Sequence, residues 1–434
     1  MKDIKLDIAY LGIIFIAFTL PFSVLINNIA IILSFLPILI TLLIDKPKRN
    51  ILISNIKANK IALYLLAFAG LNVISGFIHL HSYNSLSVLF SDIEKRTVFL
   101  IIPLVFAITP MLTKTQIRNI FISFMVGLVL SMTISLIAAG YVSIITKSII
   151  NLHAQYNMVE NNFMYHRLGS YLDLHAVYYS CMVLMGLIMT LVYSRYRFRS
   201  STKVQKGLMI LVLTYFLVML FLLKSVVMLI SLMLVIAIFG LAYLYRVRKT
   251  IAVLRISIAI IGLTVLFSTL SYRVVEKVGN RGNFFDYDFT EPGGGQWNVF
   301  NLRKAKWDVA SEAIADHWLI GVGPGKIYEV LDEYYKKHNF NFALNEHYNP
   351  HNQFLHSFLT LGIVGFFVLA SIYFLAFKQA IQKTDMVWCL FMIGFTLFSM
   401  SESTLAVNKG IIFFVFFTTL FSYLPLRSSS YFNE

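Results

Sequence analysis

Apolar residues run along this chain in long blocks separated by short, mostly basic loops. A helix crossing the hydrocarbon layer needs about 20 predominantly apolar residues, and on that rule twelve segments read as spans: roughly 8–22, 25–43, 61–80, 97–112, 119–140, 174–193, 207–223, 225–245, 251–271, 354–377, 385–401 and 409–425. The joins near Ser23 and Lys224 fit either tight loops or re-entrant turns. One long polar interval, 272–350, interrupts the series. Within it EPGGGQW (Glu291 to Trp297) reads as a flexible turn, and RKAKWDVASEAIADHWLIG (Arg303 to Gly321) as an amphipathic helix with Trp307, Ala310, Ile314 and Trp318 at helical spacing. GVGPG (Gly321 to Gly325) makes a tight turn, and LDEYYKKH (Leu331 to His338) opens a short polar helix. No repeat of fixed period is present. The expected fold is an all-α polytopic membrane protein with about nine spans over 1–271, an extracytoplasmic loop with short helices over 272–350, and about three spans over 351–434.

Composition sharpens this reading. Of 434 residues 58% are hydrophobic and 13% charged, with a mean hydropathy of +0.75, outside the range of soluble domains. No stretch is long enough for a separate soluble catalytic domain, so any activity sits in the bundle and its loops. The hydrophobicity after Lys2, Asp3, Lys5 and Asp7 continues into a second span without a small-residue cleavage site, so the first helix reads as retained. Cys181 and Cys389 both fall in apolar runs, which speaks against a disulfide framework or a thiolate metal site. The net charge of +15 reflects basic cytoplasmic loops and anionic headgroups rather than nucleic acid. KPKR (Lys46 to Arg49), the basic run from Arg195 to Lys206, RVRK (Arg246 to Lys249), Lys378, Lys383 and Arg427 share one side, assigned to the cytoplasm. Segments 141–173 and 272–350 then lie outside.

The candidate chemistry clusters on that outer side. His347 and His351 are four apart, the spacing of helical zinc ligands, but Pro350 is expected to start the last long span, leaving His347 in the loop, and no acidic third ligand stands at helical spacing. Neither metal nor cofactor is expected. In the first turn of a helix the dipole favours a neutral imidazole and a nearby anion, so His351 either acts as a general base beside a phosphate or simply caps the span. Arg303, Arg167 and Lys224 fall on the same side and suit a phosphate group, or else snorkel to headgroups. Glu402, at the outer end of the eleventh span, either orients His351 or an arginine or pairs with Lys409. His175 and Tyr178 read as packing residues, and His153, His317 and His356 have no assigned role.

His351-Asn352, nine residues, Gly362, two residues and Gly365 resembles the signature of the O-antigen ligase family. RKAKW (Arg303 to Trp307) followed by HWLIGVGPG (His317 to Gly325) is similar to that family's arginine-bearing loop. The resemblance covers about Arg303 to Glu402, with the layout of spans in general. It implies a GT-C-like fold in the bacterial inner membrane, its active site facing the periplasm or exterior. It also implies an inverting, metal-independent glycosyltransferase moving a glycan from undecaprenyl pyrophosphate to an acceptor hydroxyl on lipid A core or another surface glycan. By resemblance His351 activates the acceptor, supported by Asn352, and Arg303 holds the pyrophosphate. Arg167, in RLGSY, is similar to an earlier Arg-x-x-Gly position with the spacing shortened by one. Family members carry Ser-Arg-Gly where this chain reads Lys224-Ser225-Val226-Val227, leaving Lys224 or Arg167 as the second phosphate ligand. Two rivals remain open at this point: a polysaccharide polymerase of the same family, and a transporter of lipid-linked sugars. The latter calls for charges at mid-membrane depth and inverted repeats.

Overall fold

The structure is a computed structural model and describes residues 8–83, 85–109, 111–153, 158–247, 286–289 and 297–424. The ninth expected span, 251–271, and most of the EPGGGQW turn lie outside the described residues. In chain order the first helices are α1 (Ile8–Thr19), α2 (Val24–Ile44), α3 (Lys46–Ala58), α4 (Lys60–Ile78), α5 (Leu86–Arg96), α6 (Val98–Ile108) and α7 (Lys114–Ile145). A hairpin of β1 (Ile150–His153) and β2 (Met158–Asn161) follows, then α8 (Tyr165–Ser170), α9 (Ala176–Arg197), α10 (Lys203–Leu223) and α11 (Val226–Val247). After the undescribed interval come α12 (Val299–His317), α13 (Ile327–Lys337), α14 (Asn341–Asn345), α15 (Gln353–Gln382), α16 (Met386–Ser401) and α17 (Asn408–Tyr423).

Six of the described helices (α2, α4, α7, α9, α10 and α15) are long and apolar enough to cross a membrane. Each matches an expected span to within a few residues, because each is a continuous apolar run with basic or capping residues at its ends. Segment 97–112 differs: it forms the 11-residue α6 with Pro103 inside, too short at 1.5 Å per residue for a ~30 Å layer. The small antiparallel hairpin departs from an all-α expectation. It pairs Ile150 with Asn161 and Leu152 with Val159, and the alternation in INLH is the period of two that a strand needs.

The bundle packs around α9, whose residues from Ala176 to Thr190 are all buried. Facing it, α16 and α17 contribute an aromatic core in which Phe395 stacks on Phe414 at 4.8 Å and Phe413 meets Phe417 edge-on at 5.0 Å. At one end Lys383, which caps α15, donates to the carbonyls of Phe421, Ser422 and Leu424 at 3.0, 3.0 and 2.9 Å. The start of α15 points to the opposite end. There α12, α13 and α14 close a second, smaller core of Ala305, Val309, Ala313, Leu331, Tyr335 and Phe340 over Leu359 of α15. The amphipathic helix begins at Val299, four residues before the expected start, because Asn298 caps it through the N–H groups of Phe300 and Asn301.

Two glycine turns lock this cap to the bundle. Helix α15 is broken at Gly362, at φ 66° and ψ −165°, a conformation essentially confined to glycine. The break frees backbone groups, and the segment after α12 takes them up. Val322 N–H donates to Leu359 O (2.9 Å), Gly323 N–H to Thr360 O (3.0 Å), and Ile363 N–H to Trp318 O (2.8 Å). A Cβ on Gly362 would sit 2.3 Å from Leu319 O, and one on Gly321 would sit 2.5 Å from Thr360 O. The other side of the turn is held by Tyr83, whose hydroxyl donates to Pro324 O at 2.7 Å. Gly362→Ala is therefore expected to destabilise the protein by on the order of 1–3 kcal/mol from backbone strain alone. Thermal unfolding in detergent measures it, and a melting temperature equal to the parent's would contradict the interlock.

Candidate active site

Where α15 begins and α16 ends, three side chains from separated parts of the sequence meet. Glu402 caps the C-terminus of α16 in extended conformation. Its Oε2 lies 2.7 Å from His351 Nδ1, and its Oε1 accepts from an Arg303 guanidinium N–H at 3.1 Å. Arg303 Nε donates to Ser401 O at 3.2 Å, so the guanidinium is held by side chain and backbone together. The three side chains are 25%, 17% and 27% exposed for His351, Glu402 and Arg303: shielded from bulk water, yet reachable.

The loops are built to hold this arrangement. His351 lies at φ 47°, a left-handed conformation costing a non-glycine residue roughly 1–2 kcal/mol. Asn349 offsets that cost, since its Oδ1 accepts from His351 N–H at 2.8 Å and from Ser403 Oγ at 3.0 Å. Gln353 Oε1 accepts from Leu405 N–H at 2.6 Å, and buried Arg96 donates to Leu405 O at 3.2 Å while paired with Asp92 at 2.7 Å. The segment carrying Glu402 is thus tied to both α15 and α5.

The electrostatics assign the protons. Burial pulls the imidazole of His351 below its ordinary value, the hydrogen bond and charge of Glu402 pull it back up, and Lys306 and Arg303 push it down; the balance is downward. The ring is neutral near pH 7, with Nδ1–H donating to the Glu402 carboxylate and the Nε2 lone pair left over. Burial would raise the Glu402 carboxyl, but the His351 hydrogen bond and the charges of His351, Arg303 and Lys306 outweigh it and bring it to about 2. Glu402 is a carboxylate throughout the physiological range.

Several expectations meet a different geometry. The helix starts at Gln353, not at Pro350, because Asn352 is the cap residue: its Oδ1 accepts from the N–H groups of Phe354 and Leu355 at 2.9 and 3.3 Å. His351 stands before that cap, and the first N–H groups are already occupied by Asn352. Burial and cations, rather than the helix dipole, account for its neutrality. Lys409 does not reach Glu402; it donates to Leu20 O and Asn27 Oδ1 at 2.9 and 3.0 Å. His347 pairs with Asp332 on α13 and not with His351. Arg167 stacks over Tyr171, 5.5 Å from the ring centroid, and its buried Nε has no hydrogen bond. Lys224 is an exposed left-handed cap at the end of α10, the helix against which α8 packs. Both stand outside the hydrogen-bonded cluster.

Other residues border the site without having been singled out for it. Tyr165 in α8 has its hydroxyl pKa raised by burial and by the Glu402 charge, with Arg303 opposing. His175 caps α9, its ring 4.2 Å from that of His166; burial lowers it to about 4, helped by the His166 charge. Lys306 lies one turn after Arg303, 3% exposed. Its position three residues from Arg303 on an amphipathic helix was the available signal.

Among curated proteins no sequence matches this chain. Residues 210–370, however, match the model of the O-antigen ligase family. That segment holds Lys224, Arg303, His351 and both interlocked glycine turns; Arg167 and Glu402 fall outside it. Over that segment the chain is similar to the O-antigen ligase family.

Proposed function

We propose that this site transfers a glycan from undecaprenyl pyrophosphate to an acceptor hydroxyl at the outer face of the bacterial inner membrane, inverting the anomeric carbon. The observation that carries the reading is Glu402 holding His351 and Arg303 at once, which sets a neutral base beside a fixed guanidinium. His351 Nε2 takes the acceptor proton as the acceptor oxygen bonds to the anomeric carbon. The bond from that carbon to the phosphate oxygen breaks, and its electron pair leaves on the diphosphate. Arg303 steadies the developing charge, with Arg167 and Lys224 at the neighbouring helix ends as further cations for the donor. The proton on His351 then returns to water. Glu402 keeps Nδ1 protonated, so Nε2 remains the basic nitrogen through the cycle.

Fixed cations fill the role a metal takes in other phosphate sites. Purified protein in liposomes, given an undecaprenyl-pyrophosphate oligosaccharide and a glycolipid acceptor with EDTA present, is expected to release one undecaprenyl pyrophosphate per glycan transferred. The new bond is expected to have the opposite anomeric configuration. Retention of configuration, or a requirement for added divalent metal, would contradict the reading.

A further inference from the structure

Lys306 is a buried amine with no ion-pair partner among the described residues. It sits one turn from Arg303 on the same face of α12, 3% exposed, with Nζ 4.4 Å from the centroid of the Tyr348 ring. That ring packs edge-on against His351, with centroids 5.6 Å apart. Among the described residues no carboxylate is within ion-pair distance of its Nζ. Its neighbour Lys304, by contrast, is 49% exposed and faces Asp308 at 4.0 Å. A buried cation is costly unless paired, and an aromatic face repays only part of that cost. Glu402, the nearest acid by its electrostatic influence, is already spent on Arg303 and His351.

Resting on the function proposed above, we infer that Lys306 is a phosphate ligand of this site, its counter-ion being the diphosphate of the lipid-linked donor. Arg303 and Lys306 then flank the leaving group from adjacent turns of one helix, and Tyr348 holds the ammonium toward His351. This is a role that neither Lys224, exposed at the end of α10, nor Arg167, stacked on Tyr171, fills in the hydrogen-bonded cluster.

The groups facing Lys306 are Arg303 from its own helix, Glu402 after α16, and Tyr348 and His351 before α15. Burial lowers its pKa to about 7, with Glu402 raising it and Arg303 lowering it. A bound diphosphate favours the ammonium, so the affinity for that anion is greatest below this value and falls as pH rises through it. Arginine stays charged at any pH in reach, which makes Lys306→Arg an informative partner for Lys306→Met.

The probe is undecaprenyl pyrophosphate without sugar, titrated calorimetrically into the full-length protein in nanodiscs at about pH 6 and about pH 9, on either side of the lysine's pKa. Folding of each variant is checked by size exclusion. The parent is expected to bind about tenfold more weakly at the higher pH, and Lys306→Arg to bind equally at both. Lys306→Met is expected to bind roughly ten- to hundredfold more weakly at the lower pH, with no further fall. Lys304→Met should bind as the parent does. Parental binding and pH dependence in both Lys306 variants would overturn the inference while leaving the proposed function standing. Failure of the parent to bind at either pH would overturn both.

Discussion

Replacing His351 with alanine is expected to slow single-turnover glycan transfer by roughly 10²–10⁴, the usual contribution of a positioned general base, while donor binding changes little. The division follows from the proposed roles, in which His351 takes the acceptor proton and Arg303 steadies the leaving group. Parental transfer should itself lose rate on the acid side, as the neutral imidazole is protonated. Because burial holds the His351 pKa below its ordinary value, that loss is expected below the usual imidazole midpoint of ~6.5. A parental profile with no acid limb would argue against a titrating base.

The second large effect is expected for Glu402→Gln. The substitution keeps the shape of the side chain but removes the charge that holds Nδ1–H and the Arg303 guanidinium. Loss of such an orienting carboxylate costs about 10–100-fold where it supports one ligand; here it supports two groups, so a fall of at least 10²-fold is expected. The pH profile separates this from a general weakening of the fold. Glu402 raises the His351 pKa, so removing its charge moves the acid limb to still lower pH as the rate drops. A lower rate with an unmoved limb would mean that Glu402 serves only the structure around it.

Much of the membrane architecture was legible because hydropathy reports directly on it: α4, α7, α9 and α15 were visible as uninterrupted apolar runs. Segment 97–112 was less so, since apolar residues in a short buried helix and in a membrane span look alike until the length of α6 is known. Within the candidate site His351 and Arg303 were singled out from the residues and then from a motif, and Glu402 as a partner of one or the other or of Lys409; that it holds both at once was not legible. Glu402 lies 51 residues from His351 and 99 from Arg303, and only folding shows that one carboxylate serves both. The motif spacing had no evident reason in sequence. In the structure it places Gly362 where the backbone of residues 318–323 replaces the helix's own hydrogen bonds. Asn352 illustrates the converse, since a motif residue expected to support the chemistry spends its side chain on capping α15. Lys306 was hidden among other basic residues in RKAKW, and its burial and the Asp308 partner of Lys304 distinguish the two.

The most direct test of the central claim is single-turnover transfer from a defined undecaprenyl-pyrophosphate oligosaccharide at saturating donor, with EDTA present, comparing the parent with His351→Ala. Undiminished transfer by the parent in EDTA, with loss in the variant of at least about 10²-fold and retained donor binding, is the result the proposed function predicts. Full transfer by His351→Ala, or none by a parent that binds the donor, would contradict a glycosyltransferase built on this site.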